Sequence, residues 1–181
     1  MGNSYLTFMT FQSQDNLAEA KRWMVLLEAA MKIDGHWKHL DSAIEFESFS
    51  ARLLNKVFGW SLERADFGTD SQDSFDLADN SERIAVQVTV TKGAAKVRKT
   101  LRTFIGTHDS DYDRLVIFYP WQEPGKISAD LSNDLNDYSF DQKKDCFGMD
   151  EVAKRIQAMD LDEQEAIVEL LAKELRPLGV V

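Results

Sequence analysis

The sequence predicts an α/β protein: a small mixed sheet flanked by helices, with additional C-terminal helices. Three observations point there. Stretches with helical apolar spacing alternate with short runs rich in Val, Ile and Phe that alternate in period two. The elements succeed one another as α-α-β-β-α-β before a helical end. A chain of 181 residues, 44% hydrophobic and 29% charged, can bury an ordinary core without disulfides or metals. One domain is expected over residues 1–181, with its core at about 41–120, an N-terminal helix at 15–33 and a helical C-terminal part at 127–176.

In residues 15–33, Leu17, Trp23, Met24, Leu27 and Met31 fall near helical spacing, and Asp34-Gly35 supplies a stop. Residues 41–58 form a second helix, opened by Asp41 as cap and ended by Gly59. Residues 74–78 and 83–91 read as strands joined through "DNSE", taken here as a two-residue turn at Asn80-Ser81. A third helix spans 94–106, and "RLVIFY" at 114–119 is a strand closed by Pro120. Beyond a polar loop with Pro124 and Gly125, the stretches 127–135, 150–158 and 161–176 are helical, the last with a capping box between Asp160 and Glu163.

The single cysteine, Cys146, has no partner for an internal disulfide, and no Cys/His spacing marks a zinc site. His36, His39 and His108 share no metal spacing and read as surface or loop residues. No apolar run reaches membrane length, and "MGNSYLTFM" lacks the features of a signal peptide or a myristoylation site. A cytoplasmic protein that does not enter membranes is expected. A net charge of −10 argues against coating nucleic acid through the overall field. Between Arg83 and Thr107, however, every charged residue is basic, so one basic patch sits on an acidic body. That pattern suits either a local phosphate contact or a solvated helix face.

Three placements go beyond what packing requires. Winding 41–58 at about 100° per residue puts Glu47 inside the apolar arc between Leu54 and Phe58, whereas Glu45 falls on the polar side. A carboxylate there must be paired, protonated, metal-bound or reach water from the edge of the arc. In the strand, Ile84, Val86, Val88 and Val90 share one face and Ala85, Gln87, Thr89 and Thr91 the other. The assumed turn places Asp76 opposite Ala85 and diagonal to Gln87, so that Asp76, Gln87 and Thr89 occupy one sheet face beside Glu47. Oxygen ligands of this kind suit Mg²⁺ or Mn²⁺. On the third helix, Val97, Leu101, Phe104 and Ile105 form an apolar face, while Lys96, Lys99, Arg102 and Thr103 form a second face. The amides at its N-terminus would attract phosphate. Metal ligands beside a basic helix are what phosphodiester hydrolysis uses.

These residues resemble the PD-(D/E)XK, restriction-endonuclease-like superfamily, in which a helix Glu precedes a strand Asp and a (D/E/Q)-x-K strand. More specifically they are similar to the bacterial SMEK domain, a nuclease-like module of anti-phage defence proteins. The matching residues are Glu47, Phe49, Leu53, Leu54, Asn55, Phe58 and Gly59; Asp76 and Leu77; Ile84, Ala85, Gln87, Val88 and Thr89; and Lys96, Lys99 and Thr100, together covering about 41–105. The chain departs from the superfamily at two positions: Gln87 replaces the usual acidic ligand and Thr89 the strand lysine. The resemblance implies that Asp76, Gln87, Glu47 and the Val88 carbonyl hold the metal. Lys96 takes over from the missing lysine in preference to Lys92, with Thr89 hydrogen-bonding nearby, and Lys92, Lys99, Thr100 and Arg102 contact the nucleic acid. The substrate class implied is DNA, with RNA not separated from it. Because no sensor or ATPase motif is present, restraint would come from a protein partner or from self-assembly. The competing reading keeps the fold without the chemistry, as a protein-binding or nucleic-acid-binding subunit.

Overall fold

The short apolar runs become strands because each is buried on both faces, with a separate helical layer against each. The computed structural model describes residues 11–33, 40–65, 74–120, 123–124, 131–135 and 137–176. Along them run α1 (Phe11–Ile33), α2 (Leu40–Phe58), β1 (Glu63–Arg64), β2 (Leu77–Asp79), β3 (Ile84–Val88), α3 (Ala94–Phe104) and β4 (Arg114–Tyr119). The one-turn helices α4 (Ser132–Leu135) and α5 (Gln142–Asp145) follow, then β5 (Cys146–Gly148), α6 (Met149–Gln157) and α7 (Leu161–Leu175). The strands lie in chain order in one mixed sheet. The pairs β1/β2 and β2/β3 are antiparallel, whereas β3/β4 and β4/β5 are parallel, and α3 makes the crossover that the first parallel pair requires.

On one face, Leu77, Ile84, Val86, Val116 and Phe118 pack against α1, α2, α6 and α7. On the other, Ala85, Leu115 and Ile117 meet Val97, Leu101 and Phe104 of α3. Among the described residues no helix is long and apolar enough to cross a membrane.

The end of α2 explains much of the "LLN-x-x-FG" stretch. Leu53 and Leu54 are fully buried. Asn55 accepts the Leu62 N–H (2.7 Å) and donates to the Leu62 carbonyl (3.0 Å), folding the chain back toward β1. Gly59 takes φ +72°, a left-handed helix stop that a side chain would strain.

Several boundaries move. Residues 74–76 precede β2 rather than belonging to it, β3 ends at Val88, and β1, α5 and β5 were not anticipated. The expected capping box on α7 is present, the Glu163 N–H donating to Asp160 (2.9 Å) and the Asp160 N–H to Glu163 (3.1 Å). The Asp34-Gly35 stop, His36, His39, Trp121 and residues 127–130 of the expected 127–135 helix lie outside the described residues.

The β2–β3 connection corrects the expected register. It is a four-residue loop, Asn80–Arg83, closed by the pair Asp79↔Ile84, with Leu77↔Val86 and Ala78↔Ala85 beyond it. Continued by one pair, this register carries Asp76 opposite Gln87, not opposite Ala85. Asp79 holds the longer loop: its carboxylate accepts the Ser81 N–H (2.9 Å), the Ser81 hydroxyl (2.6 Å), the Glu82 N–H (3.0 Å) and the Ser61 N–H (2.7 Å). Burial raises the Asp79 pKa, but these four bonds outweigh it and hold it at about 2.

Candidate active site

The corrected register gathers the central residues more tightly than the sequence expectation did. Asp76 leads into β2 and Gln87 is the fourth residue of β3, both toward the α3 side of the sheet. The Val88 N–H donates to Asp76 Oδ2 (2.6 Å), and Gln87 Nε2 donates to that same oxygen. Gln87 Nε2 also reaches the Val88 carbonyl (3.1 Å), while Lys96 Nζ, from the first turn of α3, donates to Gln87 Oε1 (3.2 Å). The amide orientation follows from chemistry. Turned over, it would set an NH₂ group against an ammonium and an oxygen against a carboxylate.

Electrostatics mark the same group. Burial pushes the Asp76 carboxyl up and the charge of Glu47 adds to this; the Val88 N–H, Lys96 and the Gln87 amide oppose it, and the pKa settles at about 7. Burial also lowers the Lys96 pKa, helped by the nearby charge of Lys99 and opposed by Asp76. Gln87 itself is buried, with 6% of its surface exposed. A half-buried carboxylate, a buried amide and a half-buried lysine joined in one chain of contacts belong to the class of arrangement found at functional sites.

The other expected residues spread around this centre. Glu47 sits half-buried at the side, accepting from Arg64 Nε at 3.0 Å; its field reaches Asp76 while its carboxylate is engaged by β1. Thr89 is buried, its N–H extending the parallel ladder to the Phe118 carbonyl (2.9 Å) and its hydroxyl accepting the Thr91 N–H (3.1 Å), so it turns the chain after β3. Thr100, expected at the nucleic acid, lies buried beneath α3 because it follows Lys96 by one turn on the sheet-facing side. Arg102 is also diverted. It and Arg98 close on the buried Asp134 of α4 at 2.6 and 3.0 Å, an ion-pair triad that docks α4 on α3. Lys99 remains exposed on α3. Lys92 is exposed too, but it lines a separate groove of about 490 Å³ with Lys21, Glu28, Glu123 and Asp150, on the α1 and α6 side. Sequence reasoning missed Arg64 and Asp134, whose partners lie 17 and more than 30 residues away, beyond any local pattern.

The donor set can be tested against a divalent cation. Asp76 Oδ2 and the Val88 carbonyl both face the Gln87 amide nitrogen, so two oxygens converge on one proton-donating centre. Hard cations take carboxylate, carbonyl and amide oxygens together with waters, and Mg²⁺ needs few protein ligands. Among the described residues no three His, Cys, Asp or Glu side chains cluster, so the set depends on these neutral oxygens. The residues fit, provided the Gln87 amide presents its oxygen. Gly93, at φ +102° before α3, leaves the first-turn amides without a side-chain cap.

No curated protein and no solved structure matches the chain. A family model does: that of the SMEK domain, over residues 19–157, which include Asp76, Gln87, Lys96 and Asp134. The chain therefore belongs to the SMEK domain family.

Proposed function

We propose that this chain is a metal-dependent nuclease of restriction-endonuclease-like fold that hydrolyses phosphodiester bonds in DNA, serves in anti-phage defence and is restrained by a protein partner or by assembly. The observation that carries this reading is the contact chain Asp76–Gln87–Lys96 on the α3 side of the sheet, with the Val88 carbonyl on the same amide. Asp76, the Val88 carbonyl and, with its oxygen turned inward, Gln87 would hold Mg²⁺ or Mn²⁺. Bound there, such an ion would lower the pKa of an attacking water and offset charge on the leaving oxygen. Lys96 donates from the helix side and stands in for the ammonium that Thr89 cannot supply. Lys99 and the uncapped amides of α3 draw the phosphate toward the centre. Glu47 adds negative field at Asp76 while Arg64 orients it.

The test is plasmid DNA incubated with the native chain and Mg²⁺ or Mn²⁺, alongside Asp76→Ala, Lys96→Ala and an EDTA control. Cleavage by the native chain, lost in both variants and in EDTA, is expected. Undiminished metal-dependent cleavage by Asp76→Ala would overturn the assignment.

A second reading, a non-cleaving binding subunit on the same fold, is favoured by the diversion of Arg98 and Arg102 to Asp134, which takes two cations from the basic helix. Calorimetry with no Mg²⁺ or Mn²⁺ binding would select it.

A further inference from the structure

We infer that Gln87 is a two-position ligand: in the metal-free protein its NH₂ group stands in for the cation, and metal entry turns the amide over and releases Lys96 in the same movement. This rests on the metal-dependent reading above and deepens it.

The argument starts from the two ends of one amide. Nε2 donates to Asp76 Oδ2 and to the Val88 carbonyl, the oxygens that a cation at this centre would take. The two N–H bonds thus give Asp76 Oδ2 a second donor beside the Val88 N–H and engage the Val88 carbonyl, so the amide occupies both part-buried oxygens. The oxygen end is held by Lys96 at 3.2 Å. A cation cannot share the centre with an NH₂ group, which offers protons and no lone pair to a metal. If it enters, Oε1 must turn toward it. That rotation withdraws from Lys96 the acceptor it holds, and the ammonium, beside a new positive charge, is driven outward to where a phosphate would lie. An acidic residue at position 87 would have only oxygens to present and could not make this exchange. Glutamine in place of the usual acid therefore ties metal occupancy to the availability of Lys96.

The experiment follows the two ends separately and does not depend on cleavage. In ¹⁵N-labelled protein, the Gln87 side-chain NH₂ resonances are assigned by their loss in Gln87→Glu and, should that variant fold poorly, in Gln87→Met. Mg²⁺ is then titrated by NMR and by calorimetry. Lys96 is followed by reductive methylation and mass spectrometry with and without Mg²⁺.

Without metal, the NH₂ protons should exchange slowly and Lys96 should be modified slowly. Saturation with Mg²⁺ should shift the NH₂ resonances, speed their exchange and raise Lys96 modification roughly fivefold or more. Mg²⁺ binding that leaves the Gln87 NH₂ resonances and Lys96 reactivity unchanged would overturn the two-position role while leaving the metal reading intact. Binding by Gln87→Glu alone would show that the native amide does not turn, which also overturns it. Absence of binding in both the native chain and Gln87→Glu would remove the metal reading, and the switch with it.

Discussion

Replacing Asp76 with Asn should stabilise the metal-free protein above neutral pH, the opposite of the usual effect of altering a half-buried, hydrogen-bonded residue. The carboxyl titrates at about 7 in the folded chain against 3.8 for a free aspartate side chain, chiefly because burial disfavours its charge. Between those values the folded state keeps a proton that the unfolded chain has released, so native stability falls as pH rises from about 4 to about 7. Three pH units at about 1.4 kcal/mol each give a loss of about 4 kcal/mol. Asn escapes that loss but weakens the bonds from the Val88 N–H and Gln87 Nε2, an offset of about 2 kcal/mol. The net gain for Asp76→Asn at pH 8 is about 2 kcal/mol, or about 4–8 °C in Tm for a chain of this size. Urea unfolding followed by tryptophan fluorescence in EDTA, at pH 4.5 and pH 8, measures it. The gain should be present at pH 8 and absent or reversed at pH 4.5. A variant less stable than native at pH 8, or a difference independent of pH, would refute the reasoning. The expected result would also mean that the fold holds a carboxylate at a stability loss, as sites selected for chemistry do.

Asp79 carries the opposite sign. Its folded pKa of about 2 lies below 3.8, so its charged form stabilises the fold above about pH 4, and this contribution disappears as pH falls through 2. Asp79→Asn should lose about 1–2 kcal/mol at pH 7, allowing for solvent screening from the exposed loop that begins at Asn80, and the loss should shrink toward pH 2 in acid unfolding curves. Phe104 is fully buried against Phe75 and Tyr138, so Phe104→Ala should destabilise the chain by about 3–5 kcal/mol in the same assay; a loss under about 1 kcal/mol would mean that α3 is not packed as described. Asp134→Asn should loosen Arg98 and Arg102, tightening DNA binding and steepening its salt dependence by about one to two units of slope in fluorescence anisotropy; an unchanged slope would place both arginines away from the phosphates.

The local repeats of the sequence determined which faces its elements present. Period two along 84–88 placed Gln87 apart from Ile84 and Val86, and helical spacing separated Val97, Leu101 and Phe104 from Lys99. These follow from backbone geometry that each segment carries within itself. Gly59 and the Asp160–Glu163 box were legible for the same reason, since a helix end is settled within a few residues. Tertiary structure alone decided the rest. A four-residue loop in place of a two-residue turn shifted the register by two and set Asp76 against Gln87, a choice stabilised by Asp79 through bonds reaching back to Ser61. The three-residue β5 is too short to show a period, and it becomes a strand because β4 offers an open parallel edge. The resemblance implied nucleic-acid contacts for Arg102 and Thr100; docking of α4 pairs Arg102 with Asp134, and packing of the sheet against α3 buries Thr100. Partners more than 30 residues apart leave no periodic trace, because their meeting depends on how layers pack rather than on how a segment winds.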